Sequence, residues 1–134
     1  TIKVVAFDEN GDPVAEKQIT TAGKPKDIIL EADRTNLNAN GEDLAFITVS
    51  LVDNDGNPCP TAENQLSFSV MGQGKFKAVC NGDPTSLEMF HLPTMKLFSG
   101  KLVVIVESTE EAGEIELKVE GSDLNPATVK IKTI

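Results

Sequence analysis

The chain has no tryptophan and no tyrosine, and six phenylalanines carry all of its aromatic character. A sugar-binding surface built on stacked Trp or Tyr rings is therefore excluded, and only an exposed Phe could serve. There is one histidine, His91, so any Ser-His-Asp or Cys-His arrangement must use it. It stands in an apolar stretch, H-L-P-T-M, and no nucleophile-elbow sequence surrounds Ser86 or either cysteine, so a triad is not expected. One His and two cysteines far apart in sequence also make a poor zinc set. Basic residues are few: 12 Lys and Arg against 21 Asp and Glu give a formal net charge of −9. No basic patch stands out, and an acidic surface repels phosphate backbones, so nucleic-acid binding is not expected. No apolar run approaches the ~20 residues of a membrane-spanning helix. The longest, Leu102 to Val106, is far too short, and no membrane partner is expected. No convincing helical periodicity appears.

What is present is alternation. Ala45, Ile47, Val49 and Leu51 alternate with Phe46, Thr48, Ser50 and Val52, which puts one apolar row on one face of a strand. Leu66, Phe68 and Val70 do the same around Ser67 and Ser69. Phe76, Ala78 and Cys80 follow, with Lys75 and Lys77 expected on the opposite face. Asp27 to Ala32 reads as a short strand, and Leu37 is expected to plug the core from a polar loop. Gly100 to Glu107 carries the continuous run L-V-V-I-V, the pattern of a central strand covered on both faces. Ile115, Leu117 and Val119, then Ala127, Val129 and Ile131, alternate with charged or polar residues. Strands that each bury one face need a second sheet to bury it against. Seven strands after about residue 25, with turns at sandwich spacing, predict an all-β, immunoglobulin-like β-sandwich over residues 24–134.

Residues 1–23 read as a β-hairpin: Ile2 to Phe7, a turn Asp8-Glu9-Asn10-Gly11-Asp12-Pro13, and Val14 to Thr20. A lone hairpin is too small to be stable by itself. Its turn is repeated at Asp53-Asn54-Asp55-Gly56-Asn57-Pro58, which suggests two related hairpins from two domains of one kind. The second copy looks like half an EF-hand, but Pro58 stands where the loop needs Gly and Asn64 where it needs Glu, so both copies read as plain turns. No metal and no cofactor is expected. A glycosidase needs two carboxyl groups flanking the sugar; most acids here alternate outward on strands or sit in turns, as in a solvated face, and no catalytic residue is expected. The chain starts at Thr1 with no Met and no signal peptide, and an excised piece of something longer is the expectation.

Two cysteines do not fix a compartment. If the strand at 66–71 runs down and the one at 75–80 runs back up, Cys59 and Cys80 fall near the same end of the sandwich. A disulfide and two separate half-buried thiols both remain open. Asn81 to Ser99 is the least regular segment and unusually apolar for a loop, so it is expected to pack on the sandwich edge or on a neighbouring domain.

Three runs carry a resemblance: D-L-A-F-I-T-V-S-L-V-D-N-D-G-N-P-C-P-T-A-E-N-Q-L-S-F-S-V (43–70), N-G-D-P-T-S (81–86) and L-F-S-G-K-L-V-V-I-V (97–106). Together they resemble the C-terminal immunoglobulin-like domain of bacterial family 2 glycoside hydrolases, β-galactosidase-like enzymes common in Bacteroides-type bacteria. The likeness runs from about Lys24 to Ile131. The first hairpin resembles the closing strands of the preceding domain in those enzymes. The resemblance implies a non-catalytic accessory domain of a secreted or periplasmic enzyme. The catalytic acids of that family lie on a (β/α)₈ barrel, which needs ~250 residues and cannot fit here. The implied partners are neighbouring domains, with carbohydrate as a second candidate. The implied contact loop holds Asn81, Asp83, Ser86, Glu88, Phe90 and His91. Leu87 and Met89 stand where such sequences tend to have His and Pro, which puts any substrate role of that loop in doubt. Cys59 and Cys80 replace Val-like and Gly-like positions, a paired departure that favours the disulfide. A carbohydrate-binding module, needing an exposed Phe beside Asn81, Asp83 or Glu88, and an adhesin-type immunoglobulin-like repeat are the alternatives.

Overall fold

The alternating stretches become strands, and the computed structural model describes all of residues 1–134. They are β1 (Ile2–Phe7), β2 (Pro13–Ile19), β3 (Pro25–Ala32), β4 (Asn36–Leu37), β5 (Leu44–Asp53), β6 (Gln65–Gly72), β7 (Gly74–Cys80), β8 (Thr94–Lys96), β9 (Lys101–Ser108), β10 (Gly113–Gly121) and β11 (Ala127–Thr133). Seven full-length strands after residue 24 build the sandwich; β4 and β8 are short additions that the alternation did not announce. One sheet has the order β3-β5-β9-β7 and the other β4-β11-β10-β6-β8. Between them lies one core: Ile47, Val49, Leu51, Leu102 and Val104 from the first sheet meet Leu66, Ile115, Leu117 and Ile131 from the second, all essentially inaccessible to solvent. Leu37 plugs that core from β4, as its place in a polar loop predicted.

One expectation fails along β7. β6 and β7 follow each other in sequence but belong to different sheets. The chain crosses from one to the other at Gly72, whose φ is +82° and where a Cβ would sit 2.1 Å from the Glu114 carbonyl oxygen. Only glycine fits such a corner. The crossing lets the rings of Phe68 and Phe76 stack across the interior with centroids 6.3 Å apart. The failure is one of phase. Phe76 faces Val106 and Ala78 faces Ile105, so Lys77 is an extra, unpaired residue. This β-bulge slips the alternation by one, and every later side chain changes face. Val79 therefore enters the core, while Ala78 and Cys80 point outward.

That slip also decides the cysteines, which are both free thiols. Cys59 bonds through its N–H to the Leu51 carbonyl and is buried on the inner face. Cys80 stands against Val103, which stands against Thr48, on the outer face. Strand spacings put the two about 11 Å apart, beyond the ~7 Å a disulfide spans. β9 does lie in the middle of its sheet, but only one of its faces is in the core: Val103 and Ile105 on the other are half-buried, not covered.

β1 and β2 make a separate two-stranded sheet paired from Ile2↔Ile19 to Phe7↔Pro13. Ile2, Val4, Phe7, Val14 and Ile19 on it are all largely exposed. Its turn is built like the one after β5. Asp8 Oδ1 accepts the N–H groups of Asn10 and Asp12, and Asp53 Oδ1 accepts those of Asp55 and Asn57. Gly11 and Gly56 take the same left-handed conformation, φ +85° and +82°.

Candidate functional site

The segment from Asn81 to Ser99 leaves β7 at the edge of its sheet and returns to β9. Its first turn is held by its own side chains. Asn81 Oδ1 accepts the Asp83 N–H at 3.0 Å, Asp83 Oδ1 accepts the Thr85 N–H and hydroxyl at 2.8 and 2.7 Å, and Gly82 takes φ +76°. These are Asx turns, the usual use of Asn and Asp in loops. The Thr85 N–H is the main reason that the Asp83 carboxyl titrates below the ordinary carboxylate range. The Glu88 carboxylate then fastens the turn to the sandwich: it accepts the Lys96 N–H at 3.2 and 3.3 Å and the Gln65 side-chain amide at 3.4 Å. Asn81 Nδ2 reaches the Lys96 carbonyl at 3.0 Å.

Beyond Pro93 the segment is no loop. β8 adds to the edge of the five-stranded sheet beside β6, with Leu66 opposite Met95. Met95 and Leu97 are fully buried. Before Pro93 the opposite holds. Leu87 is 97% exposed, and Met89, Phe90 and Leu92 are exposed by about half. The only backbone tie of this front half to a strand is the Val79 N–H donating to the Phe90 carbonyl at 2.8 Å, which lays Phe90 along the open edge of β7. The predicted apolar segment thus splits into a half buried in the sandwich and a half whose large apolar side chains stand half or more in solvent.

The residues singled out from the sequence divide likewise. Asn81, Asp83, Ser86 and Glu88 come together with Glu63, Lys96, Leu97 and Phe98 around one open groove of about 350 Å³. Phe90 and His91 lie outside it, both exposed. The Asp83 and Glu88 carboxylates and the Asn81 amide of that groove already serve neighbouring backbone groups, so these three are spent on the loop's own shape. Phe98, 40% exposed, is its aromatic member. No group of three His, Cys, Asp or Glu side chains is placed to hold a metal ion.

One positioning residue escaped the sequence reading. Asp53 is buried, and its second oxygen leaves the turn to accept the Gly23 N–H at 2.7 Å and the Asn57 side-chain amide at 3.1 Å. The Gly23 bond above all, with the Asn57 amide, holds the Asp53 carboxyl down to about 2. Gly23 belongs to the link between the hairpin and β3, so Asp53 pins that link to the sandwich. The signal was there, an Asp turn followed in space by Gly-Lys-Pro, but nothing in one dimension joins positions 30 residues apart.

Residues 28–130 match the family model of the glycoside hydrolase family 2 C-terminal domain 5. A β-galactosidase of Bacteroides ovatus, BoGH2A, is 44% identical over 131 residues, covering 98% of this chain and 15% of the relative. A β-galactosidase of Thermoanaerobacter pseudethanolicus is 33% identical over 125 residues, covering 92% of this chain and again 15% of the relative. Among solved structures, a glycosyl hydrolase family 2 member from Bacteroides cellulosilyticus superposes with a TM-score of 0.89 at 32% identity, over 98% of this chain and 17% of that one. The chain spans about 15% of the length of the curated relatives it matches.

Proposed function

The chain belongs to the C-terminal domain 5 family of glycoside hydrolase family 2, and on that premise we propose that it is a non-catalytic accessory sandwich of a larger, β-galactosidase-like enzyme. One observation carries this reading: two β-galactosidases each contain a stretch like this chain as a small fraction of their length. The sandwich packs on neighbouring domains and so supports carbohydrate hydrolysis performed elsewhere in the polypeptide. Its contact surface includes the front half of the 81–99 segment, where four large apolar side chains from Leu87 to Leu92 stand in solvent. Apolar groups grouped in that way mark an interaction site more often than a solvated loop. The enzyme works in the periplasm or outside the cell.

Residues 1–23 are the tail of a preceding domain of the same kind. Two features support this: the hairpin exposes apolar side chains on both faces, and its Asp8 turn repeats the two Oδ1 bonds of the Asp53 turn. Two strands alone are marginal in water, so a completed sheet upstream would cover them.

The test is substitution of Leu87, Met89 and Phe90 by serine in the full-length enzyme and in the 134-residue chain. The expected result is an unchanged melting temperature for the chain and a lowered one for the enzyme. An enzyme indifferent to the triple substitution would refute the contact role. A titration of the chain with galactosides, followed by NMR, tests the carbohydrate reading: saturable shifts at Asn81, Asp83, Glu88 and Phe98 would replace the packing role by a sugar-binding one.

A further inference from the structure

The two outer faces of the sandwich differ in kind. The five-stranded sheet turns serines, threonines and paired charges to solvent: Lys130 meets Glu114 at 2.7 Å, Lys118 meets Glu120 at 2.9 Å, and Ser67 and Ser69 stand between them and the edge. A face laced with ion pairs needs no cover. The four-stranded sheet carries an ion pair, Lys77 with Glu107, at one margin but turns an apolar centre to solvent. Phe46, Ile105 and Ala78 form one cross-strand row on its outer side, and Val103 and Cys80 follow in the next, beside Thr48. Ile29 extends the apolar area on β3. Phe46 is 43% exposed and Ile29 38%. Charged residues bound this area: Glu31 beside Thr48 on β3, Lys101 at one end, and Glu107 and Lys75 at the other, where Glu107 also pairs with Lys77. The bulge at Lys77 is part of the arrangement, because without it Ala78 and Cys80 would face the core and Val79 the solvent.

We propose that this outer face is the seat of a second domain of the same polypeptide, and that the contact continues over the β7 edge onto Phe90 and its neighbours. The inference rests on the accessory reading above and names a surface for it. Area selects the occupant. Four strands about 4.8 Å apart and five residues of about 3.3 Å each give a face of roughly 320 Å². A free dimer needs about 800 Å² from each partner, whereas domains within one chain are held by as little as ~600 Å² in total, or ~300 Å² a side. Tethering supplies the difference, since a linked partner binds at high effective concentration. Taken by itself, a face this size falls within the range for a covalently attached domain and below what a free dimer needs. The relatives have the length to supply one, because about 15% of it accounts for the whole of this chain. The partner surface must itself be flat and apolar, with few charges to strand against Phe46 and Ile105.

Cys80 is a built-in reporter, being on this face, while Cys59 is buried in the core. The experiment compares the rate of maleimide labelling of Cys80, resolved by peptide mass spectrometry, in the 134-residue chain and in the full-length enzyme. A parallel Leu87→Cys variant reports the loop. The expected result is ready labelling of Cys80 in the chain and at least about tenfold slower labelling in the enzyme, with Leu87→Cys protected as well. Equal Cys80 rates with a protected Leu87→Cys would overturn the sheet-face proposal and leave the accessory reading in place. Equal rates at both positions would sink both. Protection of Cys80 in the chain that grows with its concentration would assign the face to a second copy and overturn the tethered occupant.

Discussion

Replacing Met95 by alanine distinguishes the two halves of the 81–99 segment. Met95 is fully buried opposite Leu66, itself fully buried, and it anchors β8 to the edge of the five-stranded sheet. The substitution removes Cγ, Sδ and Cε from the core. At about 0.8 kcal/mol for each buried carbon-sized group the lost transfer free energy is about 2.4 kcal/mol. A residual cavity adds to it, within the 2–5 kcal/mol range seen for Met→Ala, so about 3 kcal/mol is expected. Unfolding entropies near 2.1 cal/mol/K per residue give about 0.28 kcal/mol/K for a chain of this length, and hence a drop in melting temperature of roughly 11 °C. Far-UV circular dichroism on the 134-residue chain measures this, with urea unfolding at constant m-value as the check. The control is Leu87→Ala, at a side chain 97% exposed, expected within about 0.5 kcal/mol of the parent. The division of the segment at Pro93 is refuted if Met95→Ala costs under about 1 kcal/mol, or if Leu87→Ala costs as much as Met95→Ala.

Three further outcomes follow from geometry already described. Gly72→Ala should be far worse than Gly56→Ala although both residues have φ +82°, because a Cβ at Gly72 meets a carbonyl oxygen at 2.1 Å and one at Gly56 meets nothing within 4 Å; urea midpoints should show about 1 kcal/mol for the second and at least twice that for the first. Asp53 titrates near 2 in the folded chain against an ordinary 3.8, so its stabilising effect is complete above about pH 4 and disappears as pH falls through about 2; unfolding free energy measured from pH 5 to pH 1.5 should show that limb, and Asp53→Asn should flatten it. Native chain should release one fast thiol to Ellman's reagent and denatured chain two, since burial, and secondarily the Asp53 charge, raise the Cys59 thiol above its usual range while Cys80 lies on the outer face; a disulfide would leave none.

The parts of this fold that could be seen in one dimension are those in which each strand keeps its own period. Ala45 to Leu51 and Ile115 to Val119 alternate without interruption, and both rows are buried as that alternation requires. Leu37 was visible as the one large apolar side chain in a polar loop. What stayed hidden depends on single residues or on distant partners. One extra residue at Lys77 reverses the faces of Ala78, Val79 and Cys80, and alternation alone cannot mark where a period slips. Gly72 looks like any turn glycine until Glu114 is placed against it. In the 81–99 segment, Met89 and Met95 are chemically alike, yet one is exposed and the other buried; β8 is too short to show a period, so the sequence could not say which half faces the core. The clamp from Asp53 to Gly23 needs two loops to meet, which only the assembled sandwich arranges.

That clamp has a mechanical consequence. Residues 20–24 form the strap between the hairpin and the sandwich, and an unrestrained strap of that length would behave as a swivel. With the Gly23 N–H fastened to a buried carboxylate and Ala22 packed against the core, only Thr20 and Thr21 of that strap remain free to bend. Whatever the hairpin belongs to is therefore presented to the sandwich at a restricted angle. Severing that hydrogen bond would loosen the elbow, leaving the packing of Ala22 as its remaining restraint.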